Sequence, residues 1–165
     1  WLVFEGPIRQ ATHRVKYRRD LGLGYTLAEY MGHYLTSLNW EIDLVLPVPL
    51  GKKRLQERGY NQVGLFARPL ATAQNWEYAP HALKRARETT SQVGLSADER
   101  KNNVRGAFVA DGKKVADKSI LLMDDVATTG ATLNACAQAL LDGGARDVYA
   151  LTLARALPRH GLKTV

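Results

Sequence analysis

The stretch from Ser119 to Thr132, S-I-L-L-M-D-D-V-A-T-T-G-A-T, constrains this chain more than any other. Ile120, Leu121, Leu122 and Met123 form an unbroken apolar run bounded by polar residues, the pattern of a strand buried on both faces of a parallel sheet. Such a strand points Asp124 and Asp125 out of its carboxyl end. Ala127, Thr128, Thr129, Gly130, Ala131 and Thr132 then make a turn that opens the next helix, where backbone N–H groups, hydroxyls and the positive helix end converge. That loop suits a phosphate. The acids beside it suit vicinal hydroxyls, since carboxylates accept from hydroxyls while amides and hydroxyls donate to phosphate oxygens. A ribose 5-phosphate combines both features. The rival dinucleotide site needs G-x-G-x-x-G directly after a strand, and that motif is absent from the chain. For the acid pair alone, an ordinary polar strand end with a helix cap is the plainer alternative.

Around this centre the pattern alternates helix and strand. Ile8, Ala11 and Val15 recur at helical spacing through a basic segment ending near Asp20. Its His13, Arg14, Lys16, Arg18 and Arg19 read either as an anion contact or as a solvated helix face. Gly22 and Gly24 read as breakers, and Thr26 with Glu29 as a capping box. A second helix is therefore expected from Thr26, burying Leu27, Tyr30, Met31, Tyr34, Leu35 and Leu38. Asp43 to Val48 reads as a strand ended by Pro47 and Pro49. The following turn carries Gly51, Lys52, Lys53 and Arg54, a glycine and three cations placed where a pyrophosphate could be held.

Asn61 reads as the cap of a helix carrying Val63, Phe66, Ala67, Leu70 and Ala73, in which Pro69 should remove one hydrogen bond and cause a kink, unless the segment is two short helices. His81 to Arg87 reads as an edge strand, Glu88 to Gln92 as a polar loop, and Ser96 with Glu99 as the cap of a short helix. Arg105 to Val109 should return the chain to the sheet, before a polar turn region from Asp111 to Lys118. A helix from Ala131 to about Asp142, stopped by Gly143 and Gly144, and a strand from Val148 to Leu153 complete the pattern. The expected fold is α/β, a doubly wound, mostly parallel sheet flanked by helices, in one domain spanning residues 1–165.

A formal net charge of +7 and a pI near 9.7 favour anionic partners, which a polyphosphate ligand and a nucleic acid both satisfy. Cys136 is the single cysteine, which rules out an internal disulfide and points to a reducing, cytoplasmic compartment. Its spacing from Leu133 and Leu140 makes it a small core residue rather than a nucleophile. No apolar run approaches the ~18 residues of a membrane span, and no signal-peptide pattern opens the chain. Since the first residue is Trp1, an amino-terminal piece is expected to precede it.

The run at Ser119 to Thr132 resembles the signature of type I phosphoribosyltransferases, the enzymes that use phosphoribosyl pyrophosphate (PRPP). Three further segments resemble the ComF family within that superfamily: P-V-P-L from Pro47, R-L-Q-E-R-G-Y-N-Q from Arg54, and R-A-R-E-T-T-S-Q-V-G-L-S-A-D-E-R-K-N-N-V-R-G-A-F from Arg85. The resemblance covers roughly Ile8 to Arg155, and a K-Y pair like that at Lys16 and Tyr17 is also found in ComF proteins. The four-cysteine zinc module that family members commonly carry before the transferase domain is absent from this chain.

The resemblance implies that Ala127 to Thr132 take the 5-phosphate, Asp124 and Asp125 the ribose hydroxyls, and Gly51, Lys52, Lys53 and Arg54 the pyrophosphate. It also implies that a mobile loop brings Arg85 and Arg87 to the pyrophosphate, and that Mg²⁺ arrives bound to PRPP and touches at most Asp124 and Asp125. The implied activity is transfer of phosphoribosyl to a nitrogen nucleophile in a competence or DNA-uptake role. A PRPP-sensing or nucleic-acid-binding protein without turnover is the alternative. Single-stranded DNA, DNA-uptake proteins and a second copy of the chain are the further candidate partners. An acceptor-holding hood could come only from the chain ends, and the residues after Ala154 do not resemble one.

Overall fold

β5 (Ser119–Ala127) is the strand on which the other elements are hung, and its first five residues are fully buried as the apolar run requires. The computed structural model describes residues 4–87 and 106–156. In chain order the remaining elements are α1 (Gly6–Tyr17), α2 (Leu21–Thr36), β1 (Leu44–Pro47), α3 (Lys52–Arg58), α4 (Gly64–Ala73), β2 (Glu77–Tyr78) and β3 (Leu83–Arg85). They continue with β4 (Phe108–Ala110), α5 (Gly112–Val115), α6 (Ala131–Asp142) and β6 (Asp147–Arg155). Four strands form a parallel sheet in the order β2-β1-β5-β6. β1 lies in register with β5 from Leu44 opposite Ile120 to Pro47 opposite Met123, so both strands leave the sheet side by side at the same edge.

Alternation along the strands divides the interior in two. Val45, Leu121 and Met123 point to one face, where Val15 of α1, Leu27 and Met31 of α2 and Phe66 and Leu70 of α4 cover them. Leu44, Leu46, Ile120 and Leu122 point to the other, covered by Cys136 and Leu140 of α6, Val115 of α5, and Leu83 and Phe108. Helices thus flank both faces of a mostly parallel sheet, the expected doubly wound arrangement.

The structure departs from the sequence expectations at several places. β3 and β4 form their own antiparallel pair, with Leu83 opposite Ala110, so the strand near Val109 does not rejoin the main sheet. α2 starts at Leu21, not Thr26, because the Asp20 carboxylate accepts from the Leu23 N–H and caps the helix there. Gly24 therefore lies inside the helix. A side chain there would put its Cβ 2.5 Å from the Leu65 carbonyl oxygen, so glycine sets how closely α2 approaches α4. That carbonyl is the one residue 69 would bond in a regular helix, and Pro69 has no N–H to give it. α4 runs through Pro69 as one helix, with Gly24 lying against the carbonyl that the proline leaves over.

Tyr30 and Tyr34, expected in the core, are 72% and 41% exposed. Starting the helix at Leu21 allows Gly24, Leu27, Ala28, Met31, Gly32 and Leu35 to face α4, which turns the tyrosines outward. The residues from Asp111 to Lys118, read as a polar turn, include the short helix α5. The polar loop from Glu88 to Gln92 and the capping box of Ser96 and Glu99 lie outside the described residues.

Candidate functional site

The parallel sheet delivers the two sequence-marked loops to one edge. Val48 N–H donates to the Met123 carbonyl at 2.8 Å, so the segment from Pro49 to Arg54 leaves β1 directly beside the strand end that carries Asp124 and Asp125. Gly51 caps α3 in extended conformation and is buried, and Lys52, Lys53 and Arg54 form the exposed first turn of that helix. What was expected as a turn is a helix start carrying three cations.

Beyond β5, Thr128 and Thr129 are exposed and Gly130 adopts φ +78°, a left-handed conformation that side-chain-bearing residues rarely adopt. Gly130 there turns the chain from the sheet into α6. Ala131 N–H donates to the Thr129 hydroxyl at 3.3 Å, and Thr132 lies in the first helical turn. Ala127 closes the strand, paired with Arg155 and accepting from the Ala156 N–H at 2.8 Å. Ala127 to Thr132 therefore form one continuous loop at a helix N-terminus of 12 residues, next to the acids.

One peptide separates the two acids, so the alternation that split the core sends them to opposite faces. Asp125 follows Met123 to the α1/α4 face, and its side chain is only 8% exposed. There Lys16 Nζ lies 2.8 Å from Asp125 Oδ2, and Gln62 Nε2 donates to the same oxygen at 2.9 Å. Asp124 follows Leu122 to the α6 face. Its Oδ1 accepts from the Asp125 N–H at 2.8 Å. Burial, then the negative charge of Asp125, push the Asp124 carboxyl up to about 7, against the pull of the Asp125 N–H and of Lys16.

The α6 face also holds Cys136. Its thiol is fully buried, and burial, with the nearby charge of Asp124, pushes its ionisation far above the usual range. It is a core residue, as its spacing suggested. Arg85 ends β3 and lies close enough to oppose that shift, with its guanidinium 5.5 Å from the Phe108 ring. It therefore belongs to the Asp124 side of the edge. Arg87 is exposed at the end of the described segment, with its N–H on the Ala107 carbonyl.

Sequence reasoning left four contributors without a role in the site. Lys16 was one of a basic cluster and Asn61 a cap, while Tyr60 and Gln62 were only part of a motif. In the structure Tyr60 donates to the Val15 carbonyl at 2.7 Å and accepts from the Arg19 N–H at 3.0 Å, fixing the last turn of α1. Asn61 does more than cap: its Oδ1 accepts from the Val63 N–H while its Nδ2 donates to the Val48 carbonyl, tying the start of α4 to the end of β1. Arg58 donates to Gln62 and lies over the Tyr17 ring at 5.5 Å. The signal was present in R-G-Y-N-Q and K-Y, but nothing in either motif says that they meet.

Among the described residues no cluster of three or more His, Cys, Asp or Glu could hold a metal, and no helix is long and apolar enough to cross a membrane. No family model matches the chain. It is 36% identical over 157 residues to the DNA utilization protein YhgH of Escherichia coli O157:H7, covering 92% of this chain and 68% of that protein. With competence protein F of Haemophilus influenzae it shares 31% over 157 residues, covering 91% and 69%, and with competence protein ComFC of Streptococcus pneumoniae 33% over 142 residues, covering 86% and 60%. Among solved structures, adenine phosphoribosyltransferase from Thermoanaerobacter pseudethanolicus superposes with a TM-score of 0.54 at 16% identity, covering 83% of this chain and 70% of that one. The glutamine PRPP amidotransferase of B. subtilis, complexed with ADP and GMP, gives 0.52 at 22%, covering 84% and 26%. These two likenesses establish a shared fold, that of the type I phosphoribosyltransferases.

Proposed function

The chain belongs to the ComF family of competence and DNA utilization proteins, and from that premise we propose that it binds Mg·PRPP and transfers the phosphoribosyl group to a nitrogen nucleophile. One observation carries this reading: a glycine-pivoted loop at a helix N-terminus, an acid pair and a cation-bearing helix start all leave adjacent parallel strands at the same sheet edge. The 5-phosphate takes the loop from Ala127 to Thr132, where amides and hydroxyls donate. The ribose hydroxyls meet the acids, and the pyrophosphate meets Lys52, Lys53 and Arg54, with Arg85 and Arg87 supplied from the hairpin side. A magnesium ion carried on the ligand's own oxygens would find hard oxygen donors in Asp124 and Asp125 at the end of β5. When bound, the ion would neutralise charge on the departing pyrophosphate.

In the transfer, the bond from the anomeric carbon to the pyrophosphate oxygen breaks with its electron pair leaving on pyrophosphate. The nucleophile's nitrogen lone pair forms the new bond, and the nitrogen then loses its proton. Carboxylates beside the ring stabilise the positive charge that develops there, and the lysines and arginines stabilise the leaving group. A role in DNA uptake follows from the family, with DNA-uptake proteins as the expected partners. Calorimetric titration of Mg·PRPP into the folded chain should give saturable binding, and a coupled pyrophosphate assay should detect release once an acceptor is supplied. Asp124→Ala should reduce turnover about 100-fold, the effect of one lost transition-state contact of about 3 kcal/mol. Absence of binding by folded wild-type protein would overturn the reading, while binding without release would leave a PRPP sensor.

A second reading is favoured by Tyr17, Tyr25, Tyr30 and Tyr34, exposed on α1 and α2, together with the basic residues that α1 carries. Aromatics interleaved with cations form stacking platforms for single-stranded nucleic acid. Salt-sensitive binding of single-stranded DNA that weakens in Tyr30→Ala would support it.

A further inference from the structure

The last turn of α1 is built into the site by more contacts than a packing role needs. Lys16 reaches from it to Asp125 at 2.8 Å. Tyr60 clamps the carbonyl of the preceding residue, Val15, and Arg19 lies over the Tyr60 ring at 5.6 Å. Tyr17, the following residue, is held between His13, whose ring centre is 4.7 Å away, and Arg58 at the end of α3. Arg58 in turn donates to Gln62, whose amide shares Asp125 with Lys16. The backbone on both sides of Lys16 is thus fixed by the same R-G-Y-N-Q segment that fixes the acid it meets.

Two features of Lys16 suit a contact with a ligand. An ammonium has three donors, and among the described residues the contact with Asp125 Oδ2 uses one. Its side chain is also 24% exposed while that of Asp125 is 8% exposed, so the cation, not the acid, is the part of the pair that solvent reaches. Asp125 lies at the carboxyl end of β5, and α3, whose first turn holds Lys52, Lys53 and Arg54, is joined to the α1 turn through Arg58 and Tyr17.

Resting on the PRPP reading, we propose that Lys16 is a ligand-contacting residue that binds the pyrophosphate group. In this assignment Asp125 holds the ammonium in place, with Gln62 and Tyr60 as positioning residues for the pair. A lysine serves phosphate oxygens as a point charge, and one held by a buried carboxylate is delivered without losing rotamer freedom on binding. The role divides the acid pair: Asp124 serves the ribose, and Asp125 serves the pyrophosphate chiefly through Lys16.

Calorimetric titration of two ligands separates this from a structural role, using Mg·PRPP and ribose 5-phosphate, which has the loop-binding phosphate and hydroxyls but no pyrophosphate. Lys16→Met should weaken Mg·PRPP at least 10-fold and leave ribose 5-phosphate unchanged, with Lys16→Arg recovering part of the loss. Asp125→Asn should behave toward PRPP as Lys16→Met does, and the double variant should be no worse than either alone, because the two act as a unit. Lys16→Gln, which keeps a hydrogen bond to Asp125 without the charge, provides the same test should Lys16→Met melt early. Equal weakening of both ligands, or no change in either, would overturn the assignment. A folded wild-type chain that binds neither ligand would instead overturn the PRPP reading beneath it.

Discussion

Asp124 and Asp125 are neighbours in sequence with the same side chain, and the fold treats them in opposite ways. Asp125 meets a cation and an amide donor on the α1/α4 face, so its charge is balanced where it is buried. Asp124 meets one backbone N–H, a buried thiol and the charge of its neighbour, and is pushed up to about 7. A buried carboxylate is stable when paired and costly when not. The ligand-free fold therefore supports one acid of the pair and carries the other at a cost, as sites that keep a charge in reserve for a ligand generally do.

Removing a carboxylate on each face should break the comparison in opposite directions. The largest effect is expected for Asp125→Ala, which leaves Lys16 and Gln62 facing an empty position: about 3 kcal/mol of stability lost, read as a lower midpoint in denaturant melts. Asp124→Asn should instead stabilise the ligand-free protein at pH 8. Each pKa unit corresponds to about 1.4 kcal/mol, and discounting for partial exposure leaves a gain of about 1–2 kcal/mol.

The pH dependence has a definite sign. The folded-state value of Asp124 lies above the ordinary carboxyl value of 3.8, so its stabilising contribution is complete below about 4 and is lost as pH rises through about 7. Asp124→Asn should flatten that part of the stability profile, and a profile unchanged by the substitution would sink the comparison. The groups whose charges act on it are Asp125 and Lys16, with the Cys136 thiol also within electrostatic reach.

The smallest effect is expected at the opposite edge of the sheet. There Arg146 bridges Asp43 at 3.2 Å and Asp147 at 3.6 Å, but all three side chains are largely exposed. Arg146→Ala should cost only about 0.5 kcal/mol, since exposed pairs are screened by water. Carboxylates are thus expected to matter more where the parallel strands end than where they begin.

Much of this was legible in the residues. The run from Ile120 to Met123 announced the buried strand, Gly130 the turn, and Cys136 the core, because each signal is local and the period of a strand or helix is fixed by backbone geometry. The start of α2 was misread because Gly24 resembles a breaker until α4 is seen packed against it, and Tyr30 and Tyr34 were placed inside for the same reason. The β3–β4 pair was misplaced because pairing partners are chosen by packing on α6, which no alternation within the strand reveals.

The sequence by itself determined the alternation of strand and helix, the edge at which the candidate site loops emerge, and the family. Only the tertiary structure decided that Lys16 belongs to Asp125 rather than to the basic surface, and that the two acids face different surroundings. Their spacing in the chain is one residue, but the charges that tell them apart come from segments 109 and 63 residues away (125 − 16 and 125 − 62). Electrostatic energy depends on distance through space and on burial, and both are fixed only when the chain has folded.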